Sequence, residues 1–163
     1  MKTLLLLRHA KSSWKDESLP DFERPLNRRG KDACEKVGHY LKHELIVPEL
    51  ILSSPAVRTR ETVERVSKAA KFSVEVRFDQ RIYEAGGLRL LEVVSQIENE
   101  RKTVLLVGHN PGMEELLMLL TGSAERFSTA TLARLELKSS KWANAADKRA
   151  RLALLVKPRD LPG

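Results

Sequence analysis

The chain of 163 residues lacks the features that mark several large protein classes. Cys34 is its only cysteine, which excludes an intrachain disulfide and a cysteine-rich metal site. No apolar run approaches the ~18 to 20 residues of a membrane span. The four leucines of residues 4–7 are fewer than the ~7 to 15 apolar residues of a signal-peptide core. We therefore expect a cytoplasmic protein with no membrane partner.

Signatures of nucleotide and nucleic-acid binding are also missing. No glycine-rich loop leads into Lys-Ser or Lys-Thr, and no GxGxxG motif is present. Aromatic residues make up 5% of the chain and do not alternate with basic residues, as they do on surfaces that stack bases. The net charge of +7 therefore predicts attraction of phosphorylated partners rather than nucleic acid.

Apolar periodicity predicts alternating strands and helices, which is typical of a three-layer α/β sandwich with a mostly parallel sheet. We expect Asn27 to cap the first helix and Ser54 to cap the second, with Pro55 at its first position. The last two strands either pair with each other or join the main sheet at its edge. The predicted strands are residues 2–7, 50–52, 73–78, 103–107, 133–137 and 152–156. Of the four predicted helices, the first ends near residue 43, the second begins at residue 55, the third spans residues 88–98 and the fourth begins at residue 111.

Three apolar runs stop at residues suited to binding an anion. The first ends at Arg8-His9, the second leads through Ser53-Ser54-Pro55 to Arg58, and the third ends at Gly108-His109. Ligands of open α/β sheets bind at the carboxyl ends of the strands. Two arginines and two histidines at one rim predict an oxyanion pocket, for which phosphate is the natural ligand.

These side chains could transfer a phosphoryl group without a metal ion or another cofactor. A neutral imidazole is a good nucleophile toward phosphorus, and an arginine binds two phosphate oxygens in a fork. A second histidine, when protonated, donates to a phosphoryl oxygen. Phosphoryl transfer depends mainly on positioning and charge stabilisation. Each motif alone is weak evidence, but their common position at one rim makes the pattern specific.

The three motifs together resemble those of the histidine phosphatase superfamily, which has the phosphoglycerate-mutase-like fold. The first, Leu7-Arg8-His9-Ala10-Lys11-Ser12-Ser13-Trp14, is similar to that of the short phosphohistidine phosphatases of SixA type, as is the following Arg24-Pro25-Leu26-Asn27-Arg28-Arg29-Gly30 segment. The other two are Ser53-Ser54-Pro55-Ala56-Val57-Arg58-Thr59-Arg60-Glu61-Thr62 and Val107-Gly108-His109-Asn110-Pro111-Gly112.

The resemblance implies that His9 is the nucleophile and that Arg8, Arg58 and His109 form the phosphate pocket. Ala10 stands where the superfamily usually has glycine, and Thr59 stands where a small residue is common. Lys11-Ser12 replaces the acidic residue and threonine of the mutases, which argues against a sugar-phosphate mutase. We include Ser12 among the phosphate-binding candidates, although its role is open.

The general acid is the least defined part of the predicted site. The superfamily often has an acidic residue after the third strand, where this chain has Glu84. Glu84 is either that acid or a solvated loop carboxylate. Asp16, Glu17 and Asp21 are the next candidates. The segment 79–87 is too short for a helical lid, so we expect an open site that suits a phosphorylated protein better than an enclosed metabolite.

Two other pairs of residues have competing interpretations. His39 and His43 have a spacing that can bind a metal, but no third ligand is evident, and we expect surface histidines. Trp14 and Trp142 either border the cleft or pack in the interior.

We interpret residues 1–163 as a single histidine phosphatase domain acting on phosphohistidine in proteins, such as a phosphorelay domain in signal transduction. A broader phosphomonoesterase for small phosphates is the alternative enzyme. A non-catalytic phospho-ligand binder is the alternative outside enzymes, although a binder has no need of the nucleophile His9. The sequence does not determine the oligomeric state.

Overall fold

The computed structural model describes residues 1–163, and its six strands form one sheet in the order β3-β2-β4-β1-β5-β6. The first four strands are mutually parallel; β5 pairs antiparallel with β1, and β6 pairs antiparallel with β5. The predicted three-layer sandwich with a mostly parallel sheet is confirmed, and the last two strands both pair with each other and join the main sheet. The strands are β1 Lys2–Arg8, β2 Leu50–Ser53, β3 Glu75–Phe78, β4 Thr103–Gly108, β5 Leu132–Leu137 and β6 Arg151–Val156.

Four α-helices cover the two faces of the sheet. The side chain of Asn27 accepts a hydrogen bond from the Gly30 amide at 2.8 Å, so the predicted cap of the first helix is confirmed. Each helix is too short or too polar to cross a membrane. The helices are α1 Arg28–His43, α2 Val57–Ala70, α3 Gly87–Ser95 and α4 Gly112–Thr121.

Alternating side chains of β1 enter two separate cores. Leu4 and Leu6 pack with α3 and α4, whereas Leu5 and Leu7 pack with α1 and α2. All four leucines are fully buried. A strand covered on both faces is therefore continuously apolar, which is why β1 shows no polar alternation.

The prediction that Ser54 caps the second helix with Pro55 at its first position is wrong. Helix α2 begins at Val57, and its N-cap residue is Ala56, which has no capping side chain. The Ser54 hydroxyl instead accepts a hydrogen bond from the Ala56 amide and lies 2.7 Å from a ring nitrogen of His109. This serine is therefore used by the strand-end site and not by the helix.

Candidate active site

The strand register brings the ends of β1, β2 and β4 together. Arg8 pairs with Gly108 across β1 and β4, and Ser53 pairs with Val107 across β2 and β4. The His9 amide donates to the Gly108 carbonyl at 3.0 Å. The residues that follow these strands therefore meet at one rim of the sheet, as the sequence predicts.

A cavity of about 330 Å³ lies at this rim. Helix α2 brings Arg58 to it from its second residue, and the predicted Ser12 also borders it. Asn110 and Thr129, which sequence reasoning had not singled out, complete part of the wall. The lining residues are Arg8, His9, Lys11, Ser12, Trp14, Arg24, Arg58, His109, Asn110 and Thr129.

The hydrogen bond of His9 defines its tautomer. His9 Nδ1 lies 2.7 Å from the carbonyl oxygen of Ala10, and a carbonyl only accepts, so Nδ1 must carry the proton. In the neutral ring, Nε2 then holds the free lone pair. Burial, with smaller contributions from the charges of His109, Arg58 and Arg8, lowers the pKa of His9 to about 3. At neutral pH, His9 is therefore an uncharged ring with Nε2 as its nucleophilic atom.

The second histidine has a hydrogen-bond arrangement of its own. Ser54 Oγ accepts from the Ala56 amide, and His109 Nε2, at 2.7 Å, is the only acceptor within reach of its hydroxyl proton. We therefore assign Ser54 as the donor to Nε2. The proton of neutral His109 then lies on Nδ1, which is buried and has no partner in the chain. Burial, followed by the charge of Arg58, lowers the pKa of His109 to about 4. The neutral ring can therefore still donate a hydrogen bond.

The two arginines are held by contacts that leave part of each guanidinium free. Arg8 Nη1 donates to the Phe127 carbonyl at 2.9 Å. Arg58 donates from Nη1 to the Asp21 carbonyl at 2.7 Å and from Nη2 to the Asp21 carboxylate at 3.0 Å. The Nε atoms of both arginines are buried without a partner. Buried donors are rarely left unpaired, so three such donors on residues that line one cavity, counting His109 Nδ1, indicate an anion-binding site.

Asp21 organises the arginine side of the cavity. It accepts from Tyr83 Oη at 2.6 Å, from Arg58 at 3.0 Å and from Arg24 at 3.3 Å. Burial alone would raise the pKa of Asp21, but these hydrogen bonds outweigh it and lower the pKa to about 2. Asp21 is therefore ionised at neutral pH and positions Arg58, and it is poorly suited to donate a proton. From the sequence alone, Asp21 is only a further candidate for the general acid, after Glu84.

Glu84 lies outside the lining of the cavity. It is exposed and has a left-handed backbone with a φ of 57°. Its neighbour Tyr83 contacts Asp21 and packs edge-on against His109, with ring centroids 5.5 Å apart. Segment 79–87 contains only one short 3₁₀ turn, Gln80–Ile82, before α3 begins. The structure does not bring Glu84 together with the four predicted phosphate-site residues.

The structure also locates the two tryptophans, the two histidines of α1 and the single cysteine. Trp14 borders the cavity with 73% of its surface exposed, and Trp142 is fully buried in the core beside α3 and α4. His39 and His43 are both exposed on α1. The Cys34 thiol is buried, which raises its pKa to about 12.

Comparisons with known proteins agree with this fold. Residues 4–88 match the family described as the histidine phosphatase superfamily (branch 1). An uncharacterized chloroplastic protein of Arabidopsis thaliana is 34% identical over 153 residues, which are 88% of this chain and 70% of that protein. A protein of Agrobacterium tumefaciens, assigned as the phosphohistidine phosphatase SixA, has a similar structure with a TM-score of 0.84 and 30% identity over 96% of this chain and 98% of its own. A SixA assigned in Nakamurella multipartita has a TM-score of 0.86 and 27% identity over 96% of each chain.

The chain belongs to the histidine phosphatase superfamily. Within that superfamily it is a SixA-type member with the phosphoglycerate-mutase-like fold, and it is a phosphatase.

Proposed function

We propose that this phosphatase removes the phosphoryl group from phosphohistidine side chains of proteins, through a covalent phosphohistidine on His9 and without a metal ion. The observation that carries the proposal is the neutral His9 ring, whose Nδ1 proton is held by Ala10. Its free Nε2 shares a cavity with Arg8, Arg58 and His109. This arrangement supports a role for His9 as the nucleophile and for the other three as donors to the phosphoryl oxygens.

In the first step, His9 Nε2 forms a bond to phosphorus and the bond from phosphorus to the substrate imidazole breaks. The electron pair of that bond goes to the substrate nitrogen, and a substrate ring protonated on its other nitrogen leaves as neutral imidazole. Arg8, Arg58 and His109 donate to the phosphoryl oxygens as charge redistributes. The phosphoryl group passes from one imidazole nitrogen to another, so the P–N bond that forms resembles the P–N bond that breaks.

In the second step, water attacks the phosphorus of phosphorylated His9. The Nδ1 proton stays in its hydrogen bond to Ala10, so the modified ring is cationic and leaves as the neutral ring of the starting enzyme. The oxygen of water is incorporated into inorganic phosphate, and the two water protons remain on phosphate oxygens. Neither step needs a general acid.

The composition of the cavity favours this substrate over an alkyl phosphate. Every residue of its lining is a cation or is neutral, and the adjacent Asp21 is ionised. An alkoxide leaving group requires a proton, which general acids supply with gains of ~10² to 10⁴. A protonated imidazole does not require one. A broader phosphomonoesterase would need Glu84, or another acid such as Asp16 or Glu17, at the leaving group. A non-catalytic binder would leave the nucleophilic Nε2 of His9 unexplained.

The border of the cavity favours a protein as the carrier of the phosphoryl group. Trp14 is largely exposed there, and the guanidinium of Arg24 stacks on its ring, 3.5 Å from the ring centroid. An exposed aromatic ring beside a phosphate pocket is suited to contact with a protein surface. A cytoplasmic location and a role in signal transduction belong to the same proposal.

The test is a comparison of kcat/KM for a phosphohistidine protein, p-nitrophenyl phosphate and a sugar phosphate, each with and without EDTA. We expect the phosphohistidine protein to be preferred, EDTA to have no effect, and His9→Ala to be inactive. A preference for the sugar phosphate would favour the broader phosphomonoesterase. Loss of activity in EDTA that is restored by added metal would contradict the metal-independent mechanism.

A further inference from the structure

A second, strongly basic groove of about 470 Å³ adjoins the phosphate cavity. The two share Lys11 and Thr129 in their linings. The charged residues of this groove are four cations, Lys11, Arg29, Lys36 and Arg159, and one carboxylate, Asp32. A groove of this charge that opens beside the reacting phosphoryl group is placed to contact the part of the substrate next to it.

Three of the four cations of the groove have no salt bridge within the chain. No carboxylate oxygen lies within 4.0 Å of the side-chain nitrogens of Lys11, Arg29 or Lys36, whereas Arg159 lies 3.9 Å from Asp160. Arg29 and Lys11 are exposed. By contrast, Arg77, on the far edge of the sheet, is paired with Glu98 at 2.6 Å. The groove therefore presents free positive charge to solvent.

Helix α1 carries three of the groove's charges and begins with two basic residues. Arg29, Asp32 and Lys36 are three and four residues apart, so they lie on one face of α1. The first turn of α1 contains no acidic residue but does contain Arg28 and Arg29. Basic residues at a helix N-terminus oppose the macrodipole, at a cost of about 0.3 to 1 kcal/mol for an exposed charge. The positive helix end and these side chains together attract an anion.

The groove is fixed against the loop that carries the nucleophile. A Cβ atom on residue 30 would lie only 2.1 Å from the Lys11 carbonyl oxygen, so only glycine permits this approach. The Asn27 amide also donates to that carbonyl at 3.0 Å. The start of α1 and the residues that follow His9 are therefore one packed unit, with the groove at a set position relative to the phosphate cavity.

We propose that this basic groove, bordered by Lys11, Arg29, Lys36 and Arg159, binds an acidic segment next to the phosphohistidine of the substrate protein. This inference rests on the proposed function, and it assigns the substrate class within it. Charge complementarity of this kind raises the rate of encounter and selects between partners more than it changes the chemical step. Acidic substrates are therefore distinguished by kcat/KM and not by kcat.

The test compares two histidine-phosphorylated peptides of the same length, one with glutamates on both sides of the phosphohistidine and one with glutamines at those positions. Phosphoramidate serves as a small substrate that does not reach the groove. We expect wild-type enzyme to prefer the glutamate peptide by about tenfold in kcat/KM, as a few exposed ion pairs provide, and the preference to fall as salt is added.

The decisive variant is Arg29→Gln with Lys36→Gln, which leaves Lys11 and the phosphate cavity intact. We expect it to lose the preference for glutamate while hydrolysing phosphoramidate at the wild-type rate. Lys68→Gln with Arg89→Gln is the matched control, because it removes the same charge from exposed positions outside the groove. We expect that control to keep the preference.

The outcomes separate this inference from the proposed function. If phosphoramidate and both peptides are hydrolysed without a preference, the proposed role of the groove is wrong and the proposed phosphohistidine phosphatase activity is unaffected. Failure to hydrolyse any of the three would overturn the proposed function itself. If the control variant loses the preference equally, net charge and not the groove is responsible. If a sugar bisphosphate is preferred over its monophosphate through Arg29 and Lys36, the groove binds a second phosphate of a small molecule and the proposal is wrong.

Discussion

The protonation state of the two site histidines is the most direct physical consequence of the structure. Burial lowers the pKa of His9 to about 3 and that of His109 to about 4, against about 6.5 for a free imidazole. At pH 5, these values leave only about 1% of His9 and about 10% of His109 protonated, whereas about 97% of a free imidazole would be charged. The nucleophile is therefore available across the whole physiological pH range.

The same shifts predict how stability depends on pH. Both folded pKa values lie below the unfolded value, so the unfolded chain binds more protons between about pH 6.5 and pH 4. Stability therefore falls as the pH decreases through this window, and it is fully present above about pH 7. Each histidine contributes on the order of 3 kcal/mol to this loss by pH 4. In His9→Gln, the acid-dependent loss of unfolding free energy should be correspondingly smaller.

The assay is an NMR titration of the four histidine rings from pH 8 to pH 5, with urea unfolding measured at the same pH values. We expect the His9 ring signals to stay at the positions of neutral imidazole throughout, and the His109 signals to move only slightly near pH 5. A His9 signal that titrates between pH 6 and pH 7 would refute the reasoning, because the free Nε2 would then be protonated for much of the physiological range.

Four further results are expected. Arg58→Ala should lower kcat/KM by ~10² to 10³, the cost of removing a charge-stabilising donor, and a rate within about threefold of wild type would exclude Arg58 from the site. Asp21→Asn should weaken the hold on Arg58 and lower kcat/KM less than Arg58→Ala does; a larger loss in Asp21→Asn would mean that Asp21 acts on the substrate directly. Glu84→Gln should barely slow hydrolysis of phosphohistidine or p-nitrophenyl phosphate, and should slow an alkyl phosphate by ~10² to 10⁴ only if Glu84 is a general acid; equal large losses on all three would assign Glu84 another role. Gly30→Ala should destabilise the fold by about 1 to 3 kcal/mol in urea unfolding, because the new methyl group meets the Lys11 carbonyl, and unchanged stability would show that α1 can shift away.

Much of the fold could be predicted because the sheet is buried on both faces. Continuous apolar strands such as residues 4–7, followed by an abrupt polar residue, identify both the strand and the end at which ligands bind. The order of the strands along the chain then places His9 and His109 on one rim. The structure confirms this fold, and it places Arg8 and Arg58 at the same cavity.

The parts that could not be predicted depend on contacts between distant residues. Asp21 is 37 residues from Arg58 and 62 residues from Tyr83, and no local pattern links them. Ser54 has the sequence signature of a helix cap, but its contact with His109 decides its role. Trp142 lies in a segment that appears polar in sequence, yet it is fully buried and donates to the Arg101 carbonyl at 2.7 Å. Tertiary contacts override local propensity at each of these positions.

The central claim is that His9 carries the phosphoryl group during turnover. The direct measurement is a rapid quench of the enzyme with a ³²P-labelled phosphohistidine protein, followed by mapping of the labelled peptide. We predict a phosphate on His9 that is stable in alkali and labile in acid, that forms faster than inorganic phosphate accumulates, and that is absent from His9→Ala. Turnover with no label on His9, or with the label on another residue, would contradict the account.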